Sequence, residues 1–210
     1  MEPALTLRAE TRSNAATTLG RLTVRTTVIA VVATAIASFA AAAADDVEAL
    51  KARIAELEAQ VNAHKAERAL TKRHLQLYDE LDLEAFNRRD LKRLAELHAE
   101  DVVVHNPDGK RTTPYEPHEK ELQFLFDAFD LMIPEHIVGF GYGDWTAGIA
   151  IVEGTWVRPI TLPDGTALEP TGRTLRLKVA TIARWEDQRI AEEYLFWDNA
   201  DWNRQIGLGN

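Results

Sequence analysis

The last predicted strand of the chain ends in a carboxylate that could act as a general base. Asp198 closes the segment 189–198, and strand alternation puts it on one face with Ile190, Glu192, Tyr194 and Phe196. A carboxylate among apolar and aromatic neighbours is poorly solvated, which raises its pKa toward the working range of a general base. Asp198 is equally well placed to cap the helix predicted to follow it, so the residues leave both roles open.

A histidine at the end of the first predicted strand is the second candidate. His105 terminates the strand 102–106, next to a turn that begins at Asn106-Pro107. An imidazole there could donate a proton to a developing oxyanion and assist Asp198. A lone histidine at a strand end is also often a hydrogen-bonded wall residue, and this alternative stays open.

Further side chains on the predicted strands could bind a flat or polycyclic substrate. The aromatic candidates for substrate binding are Tyr142, Trp156, Tyr194 and Phe196. Trp185 and Trp197 are two further aromatic residues on the same strands that could line a pocket. Aromatic residues on a bent sheet are also ordinary core residues, and alternation points Trp197 away from the face of Tyr194. Glu153 lies in mid-strand, where an unpaired buried carboxylate is costly. Either its face meets solvent or an interface, or Glu153 is a second polar group in a cavity.

Several other chemistries find no support in the sequence. The chain has no cysteine, which excludes disulfides, thiolate metal sites and a cysteine nucleophile. The six histidines are scattered without metal-ligand spacing, and no phosphate-binding glycine loop or nucleophile elbow is present. Asp and Glu outnumber Lys and Arg by 33 to 24, which is the wrong balance for a phosphate backbone. We therefore expect no metal site and no nucleic-acid partner.

The first 44 residues are predicted to be a targeting segment. Residues 26–44 carry no charge, follow Arg21 and Arg25, and end in small residues with Ala42 and Ala44 in A-x-A order. This pattern favours a cleaved secretory signal and an exported protein, periplasmic or secreted. The alternative is a membrane anchor through residues 26–44, because the segment is just long enough to span a bilayer.

Residues 45–67 are predicted to form a helical spacer. The apolar residues of this segment follow heptad spacing at Val47, Leu50, Ile54, Leu57 and Val61. So short a seam cannot hold a coiled coil alone, so we favour a solvated spacer helix. A homodimer contact along the seam is the less favoured alternative.

Residues 68–210 are predicted to form one α+β domain. Helical stretches come first, the second of them capped by Asp90, followed by the strand 102–106 and a helix that begins near Pro117. After Pro134 the apolar period changes to two, and four strands follow in a row before a short helix that ends at Gly207. Strands joined by short connections predict a bent, mostly antiparallel sheet with the helices on one face.

From about Leu70 to Leu208 the chain resembles the SnoaL-like polyketide cyclases of the nuclear transport factor 2-like superfamily. The matching segments, in order, are FNRRDLKRLAELHAEDVVVHNPDG, YGDW, EGTW, EPTGR and RIAEEYLFWDNADWNRQIGL. The resemblance implies a cone-shaped curved sheet wrapped around helices, an apolar pocket, and acid–base chemistry on a carbonyl compound without a cofactor. It also implies that Asp198 is the catalytic acid/base aspartate. The superfamily includes isomerases, dehydratases, epoxide hydrolases and binding proteins as well, and fold alone does not choose among them.

The chain departs from the family pattern at two places. It has Gly154-Thr155-Trp156 where many relatives have Gly-Thr-His, and its last hairpin turn lacks the usual glycine at 186–189, which predicts an altered or strained turn. The sequence therefore predicts an exported pocket protein, most simply an enzyme of the cyclase, isomerase or hydratase type acting on a hydrophobic carbonyl or ester compound. The alternatives are a non-catalytic binder of a small apolar metabolite and a structural partner acting through the heptad helix.

Overall fold

The computed structural model describes residues 7–162 and 164–209, with side chains from Ile29 onward. The chain divides into two compact units, residues 1–62 and 63–210. The first unit is helical throughout its described part, as the first portion of helix α1 (Leu7–Asp79). By length and composition, one helix near the N-terminus is able to cross a membrane. Residues 1–6 of the predicted targeting segment lie outside the described residues, and export or anchoring stays a prediction.

The predicted spacer is helical, but it does not end where the heptad pattern stops. Helix α1 continues without a break to Asp79. The seam residues from Val47 to Val61 are exposed, as expected of a solvated spacer. The dimer contact along this seam stays a prediction.

The second unit contains the remaining elements in the predicted α+β order. Helix α1 ends at Asp79 and is followed by a π-helix at Glu80–Phe86, with α2 at Leu91–Leu97, α3 at Tyr115–Ala128 and α4 at Asn199–Ile206. The strands are β1 His98–His105, β2 Arg111–Thr112, β3 Phe129–Tyr142, β4 Trp145–Trp156, β5 Ile160–Thr161, β6 Ala167–Leu168, β7 Thr174–Glu186 and β8 Arg189–Phe196. Asp90 caps α2 by accepting a hydrogen bond from the backbone N–H of Arg93, as predicted.

Six strands form one mixed sheet in the order β2-β1-β8-β7-β4-β3, and β5 pairs with β6 in a separate hairpin. Among neighbouring strands of the six-stranded sheet only β1 and β8 run parallel, so the mostly antiparallel sheet is confirmed. β3 begins at Phe129, earlier than the predicted strand. Phe129, Leu131 and Ile133 alternate as buried residues in this first part of the strand, and the register with β4 shifts between Met132 and Glu135, across Pro134, which has no N–H for the ladder.

Glycines let helix α1 approach the sheet closely. A Cβ at Gly141 would lie 3.0 Å from the Thr71 side chain, and one at Gly148 would lie 2.6 Å from the ring of Tyr78. A Cβ at Gly148 would be closer than real side chains come, and one at Gly141 would be tighter than most Cβ contacts, so the absence of a side chain permits the close approach. The helices and the sheet enclose two buried hydrophobic clusters, and the cavity described below lies between them and shares their side chains.

The turn between β7 and β8 shows the predicted departure from an ordinary hairpin. Asp187 has φ 47° and Gln188 has φ 64°, so both central residues are left-handed without being glycine. This geometry suits the twist of a hairpin but costs about 1 kcal/mol or more at each non-glycine residue.

Candidate active site

A cavity of about 840 Å³ opens between the helices and the sheet of the second unit. This volume is within the range of pockets that bind drug-sized ligands. Most of its wall is apolar, and the apolar side chains include Leu81, Phe86, Leu122, Ile133, Val152 and Leu195. Ionisable side chains away from the solvent interrupt this wall in two groups: Asp82, backed by His136, and a cluster of His98, His118 and Glu193. Four exposed ionisable residues also line it: Asp108, Lys110, Lys120 and Glu121.

Asp82 reaches the cavity from the π-helix that continues α1. The side chain is only 14% exposed, and its Oδ2 accepts a hydrogen bond of 2.9 Å from Nε2 of His136 on β3. π-helical turns are rare, and they occur frequently at functional sites. A carboxylate on the wall of an apolar cavity is a group that such a turn can present to a ligand.

His136 links Asp82 to a second carboxylate at the surface. Its Nδ1 lies 2.8 Å from Oδ1 of Asp79, whose side chain is 60% exposed, whereas His136 itself is 9% exposed. The ring of Tyr78 stacks on the imidazole with centroids 4.6 Å apart. Asp82, His136 and Asp79 therefore form a continuous hydrogen-bonded chain from the cavity to solvent.

The environment raises the pKa values of both Asp82 and His136. Burial raises the pKa of Asp82, and although the contact with His136 lowers it, the net pKa lies above the usual carboxylate value. Burial lowers the pKa of His136, but its contacts with Asp82 and Asp79 outweigh burial and raise it above the usual value. The raised pKa makes Asp82 a stronger base than an ordinary surface carboxylate, which is the direction that a general base needs.

His98 belongs to the second cluster and stands at the start of β1, directly after α2. Its Nδ1 lies 2.7 Å from the backbone carbonyl of Leu94. Because a carbonyl only accepts hydrogen bonds, Nδ1 carries a proton. Nε2 points toward Glu193, 3.8 Å from Oε2, and has no hydrogen-bond partner among the described residues.

His118 on α3 approaches the same carboxylate from another side. Its Nε2 lies 3.9 Å from Oε2 of Glu193, and its Nδ1 lies 3.2 Å from Oε2 of Glu121. Glu121 is held in turn by the Thr112 hydroxyl, which donates to it at 2.9 Å. The side chains of His98, His118 and Glu193 are all at least nine-tenths buried.

Glu193 faces the cavity because β8 contains a bulge. Arg184 pairs with Glu192 and Trp185 pairs with Ile190, so Ala191 is left without a residue opposite it on β7. The extra residue changes which side chains alternate inward, and Glu193 and Leu195 line the cavity. Burial raises the pKa of Glu193, but the two imidazoles outweigh it and hold the pKa below its usual value.

The bulge also explains where the predicted catalytic residues lie. Asp198 is exposed and does not line the cavity, contrary to the poorly solvated face expected for it. Its Oδ1 accepts hydrogen bonds from the backbone N–H of Ala200 at 2.9 Å and of Asp201 at 3.0 Å, so it caps α4. His105 stacks on Tyr194, with centroids 4.1 Å apart, and lies 3.1 Å from Oε1 of Glu192. The expected pair of Asp198 and His105 around one cavity is therefore not formed.

The predicted substrate-binding residues do not line the cavity either. Trp156 is completely buried in the core, and Tyr142 and Phe196 are exposed, as is part of Tyr194. Glu153 forms an ion pair of 2.6 Å with Arg176 on an exposed face, which corresponds to the solvent alternative. Trp197 does line the cavity, on the face opposite Tyr194, as alternation indicated.

Two of the residues that sequence reasoning missed carry a recognisable signal. Asp82 lies four residues after Tyr78 and three before Ala85, so it is an acid on the apolar stripe of its helix. His118 lies four residues before Leu122 on the stripe of α3. A polar residue on an otherwise apolar stripe is a candidate for a cavity wall. Glu193 carries no such signal, because its orientation depends on the bulge.

A nuclear transport factor 2-like fold, with an apolar cavity that carries ionisable side chains, defines the class of this protein. The family model described as SnoaL-like polyketide cyclase matches residues 73–206, and the chain belongs to that family. No curated protein sequence matches the chain closely enough to count as a relative.

Solved structures from three organisms have similar folds. A candidate polyketide cyclase from Xanthomonas campestris pv. campestris has a TM-score of 0.58 at 22% identity, over 65% of this chain and 98% of its own. IdmH, a candidate polyketide cyclase from Streptomyces antibioticus, has a TM-score of 0.50 at 27% identity, over 64% of this chain and 98% of its own. An LEH-like epoxide hydrolase from M. tuberculosis has a TM-score of 0.52 at 12% identity, over 66% and 92%. At 22% and 12% identity, the Xanthomonas and M. tuberculosis proteins show only that the fold is similar.

Proposed function

We propose that the cavity is the active site of an acid–base enzyme of the cyclase, isomerase or hydratase type, with a hydrophobic carbonyl or ester compound as substrate. The observation that carries the proposal is the position of Asp82, a buried carboxylate with a raised pKa on the wall of an apolar cavity. Family membership supports the same class of chemistry. The reaction class proposed here is the one expected from the sequence, but the general base is Asp82 and not Asp198.

In this mechanism Asp82 removes a proton from the carbon next to a carbonyl group. The resulting enolate either attacks a second carbonyl within the substrate, closing a ring, or takes up a proton at another carbon, completing an isomerisation. The hydrogen bond from His136 stabilises ionised Asp82 before the transfer. Afterwards Asp82 returns the proton to the new alkoxide of the closed ring or to the other carbon of the isomer, and is ionised again, while His136 stays protonated between Asp82 and Asp79. General acid–base catalysis of this kind contributes about 10²- to 10⁴-fold in rate.

The apolar wall supports a hydrophobic substrate. Exclusion of water around Asp82 strengthens its electrostatic interaction with the reacting atoms. The alternative, a non-catalytic binder of an apolar metabolite, would need no ionisable groups in the cavity, yet Asp82 and Glu193 both line it. We further propose that the domain acts outside the cytoplasm or at a membrane, on the ground of the apolar N-terminal segment.

Proton abstraction can be measured before the substrate is known. We would incubate hydrophobic ketones and 1,3-dicarbonyl compounds with the full-length protein in D₂O and follow deuterium incorporation next to the carbonyl by NMR. An amide cannot act as the base, so Asp82→Asn should lower the exchange rate by about 10²- to 10⁴-fold. Asp198→Asn is the matched control and should exchange at the parent rate.

Exchange at the parent rate in Asp82→Asn would show that Asp82 is not the base. Ligand binding is measured in parallel from the fluorescence of Trp197 and Trp202, which line the cavity. If parent and variant bind a compound equally and neither accelerates exchange of any compound tested, the binding protein replaces the enzyme.

A further inference from the structure

Three buried side chains from three different elements meet at one wall of the cavity. His98 comes from the start of β1, His118 from α3 and Glu193 from β8. One ligand atom of each, an imidazole nitrogen or a carboxylate oxygen, lies within 4.8 Å of those of the other two. Glu193 is salt-bridged only to these two histidines among the described residues, with no Lys or Arg beside it.

The hydrogen bonds of both rings leave the inward nitrogens free to bind a cation. His98 donates through Nδ1 to the Leu94 carbonyl, and His118 donates through Nδ1 to the Glu121 carboxylate. When the rings are neutral, as metal binding requires, the lone pair sits on Nε2, the atom directed at Glu193. Histidines that bind metals nearly always donate their other ring N–H to a carbonyl or a carboxylate, which is the arrangement seen at both rings.

The distances are close to those of a metal centre. Ligand atoms about 2.0–2.2 Å from a tetrahedral ion lie about 3.3–3.5 Å from one another. The separations between the histidine nitrogens and Glu193 Oε2 are 3.8 and 3.9 Å, and all three ligand atoms lie within 4.8 Å of one another, so the side chains need to close by between about half an ångström and about 1.5 Å. Side-chain rotations within existing rotamers are enough for a movement of that size.

We propose that His98, His118 and Glu193 bind one divalent first-row transition-metal ion, with Zn²⁺ as the ion that best fits the donor set. Two neutral imidazoles and one carboxylate carry a net charge of −1, which favours a cation in this buried place. Three protein ligands leave the remaining coordination position open, as in catalytic zinc sites. Because all three ligands line the cavity, that open position faces the space where a ligand binds.

This site is independent of the proton transfer assigned to Asp82, since metal binding needs no turnover. An ion there would act as a Lewis acid on a carbonyl oxygen in the cavity. The proposal departs from the sequence-based expectation of no metal site. That expectation rested on spacing along the chain, whereas these ligands are brought together by three separate elements.

The experiment measures zinc binding by the full-length protein, purified in detergent without a histidine tag and stripped with a chelator. Isothermal titration with Zn²⁺ should give one ion per chain. Loss of a ligand in Glu193→Gln or His118→Asn should weaken binding at least 100-fold. Glu121→Gln, which replaces the charged acceptor of His118 Nδ1 by a neutral amide oxygen, should weaken it by a smaller factor, at most about 10- to 100-fold.

A matched control uses the other close histidine–glutamate pair of β1 and β8. His105 and Glu192 lie 3.1 Å apart on the opposite face, and His105→Asn should leave zinc affinity unchanged. Co²⁺ substituted for Zn²⁺ should give the strong visible absorption of a four- or five-coordinate ion. Because the cobalt spectrum is recorded on the parent protein, the test stays valid if a ligand variant fails to fold. Circular dichroism would reveal such a failure.

Three results would overturn the proposal. The first is the absence of stoichiometric zinc binding by the parent protein. The second is zinc affinity that survives Glu193→Gln, His118→Asn and Glu121→Gln alike. The third is a cobalt spectrum of the weak, six-coordinate type. None of them bears on deuterium exchange through Asp82, so failure of the metal site and failure of the proposed activity are distinguishable.

Discussion

Replacing His136 by glutamine should destabilise the domain by an amount that depends on pH. Hydrogen bonds to a charged group contribute about 1.5–3 kcal/mol each when buried, and His136 makes one of these to Asp82 at 2.9 Å. The bond to Asp79 contributes less than about 1 kcal/mol, because Asp79 is 60% exposed. We expect His136→Gln to lower the free energy of unfolding by about 2–3 kcal/mol near pH 6.

The sign of the pH dependence follows from the raised pKa of His136. The contribution of His136 to the stability of the folded state is complete below the unfolded-state pKa of about 6.5. It is lost as the pH rises through the higher pKa that His136 has in the folded state. The groups that face this ring are Asp82, Asp79 and Tyr78, with Glu193 acting on it through Asp82. The difference between parent and variant should therefore be largest near pH 6 and shrink toward about pH 9, leaving the pH-independent loss of stacking on Tyr78.

The assay is urea unfolding at about pH 6, 7.5 and 9, followed by tryptophan fluorescence. All five tryptophans lie at or after Trp145, so the signal reports on the second unit alone. His105→Gln is the control, since its partly exposed pair with Glu192 should contribute less than about 1 kcal/mol. A parent–variant difference that stays constant or grows with pH would refute the interpretation of His136 as a charged bridge between two carboxylates.

Two further predictions concern stability alone. Asp198→Ala removes the cap of α4 and should lower the free energy of unfolding by about 1 kcal/mol, or the thermal midpoint by a few degrees. Asp198→Asn keeps an acceptor and should lower the free energy of unfolding by less. Equal losses of stability in the two variants would argue against the cap. Gln188→Gly relieves a left-handed residue at φ 64° and should raise the unfolding free energy by about 1 kcal/mol, because its hydrogen bond with Arg73 is exposed. Thermal and urea unfolding check both, and a less stable Gln188→Gly would show that this hydrogen bond outweighs the strain.

The fold was predictable because its signals are local and periodic. Apolar residues every second position gave the four long strands, and the short helix that ends at Gly207 is capped at both ends as its sequence indicates. The altered hairpin turn at 187–188 was also predictable, since only the missing glycine needed to be noticed. These features depend on residues close together in the chain.

The candidate site was not predictable in the same way. Alternation put Glu192, Tyr194 and Asp198 on the same face as the buried Ile190, but Ala191 is an extra residue between Ile190 and Glu192 and moves all three to the other face. A bulge leaves no clear mark in composition, because the residue that it adds is an ordinary alanine. One inserted residue was enough to exchange the inner and outer faces of β8. The family resemblance did not correct this, since it also pointed to Asp198.

Both ionisable clusters reach the cavity through irregular backbone. The π-helix that carries Asp82 widens the helical turn, and the bulge in β8 turns Glu193 inward. With regular pairing in β8, Glu193 would share the outer face with His105, and Glu192 would be buried against His98 and His118. The bulge thus selects which of two adjacent glutamates is buried, and it leaves the other free to pair with Arg184 and His105 at the surface. Because the two glutamates are chemically identical, only the path of the backbone distinguishes a cavity carboxylate from a surface one.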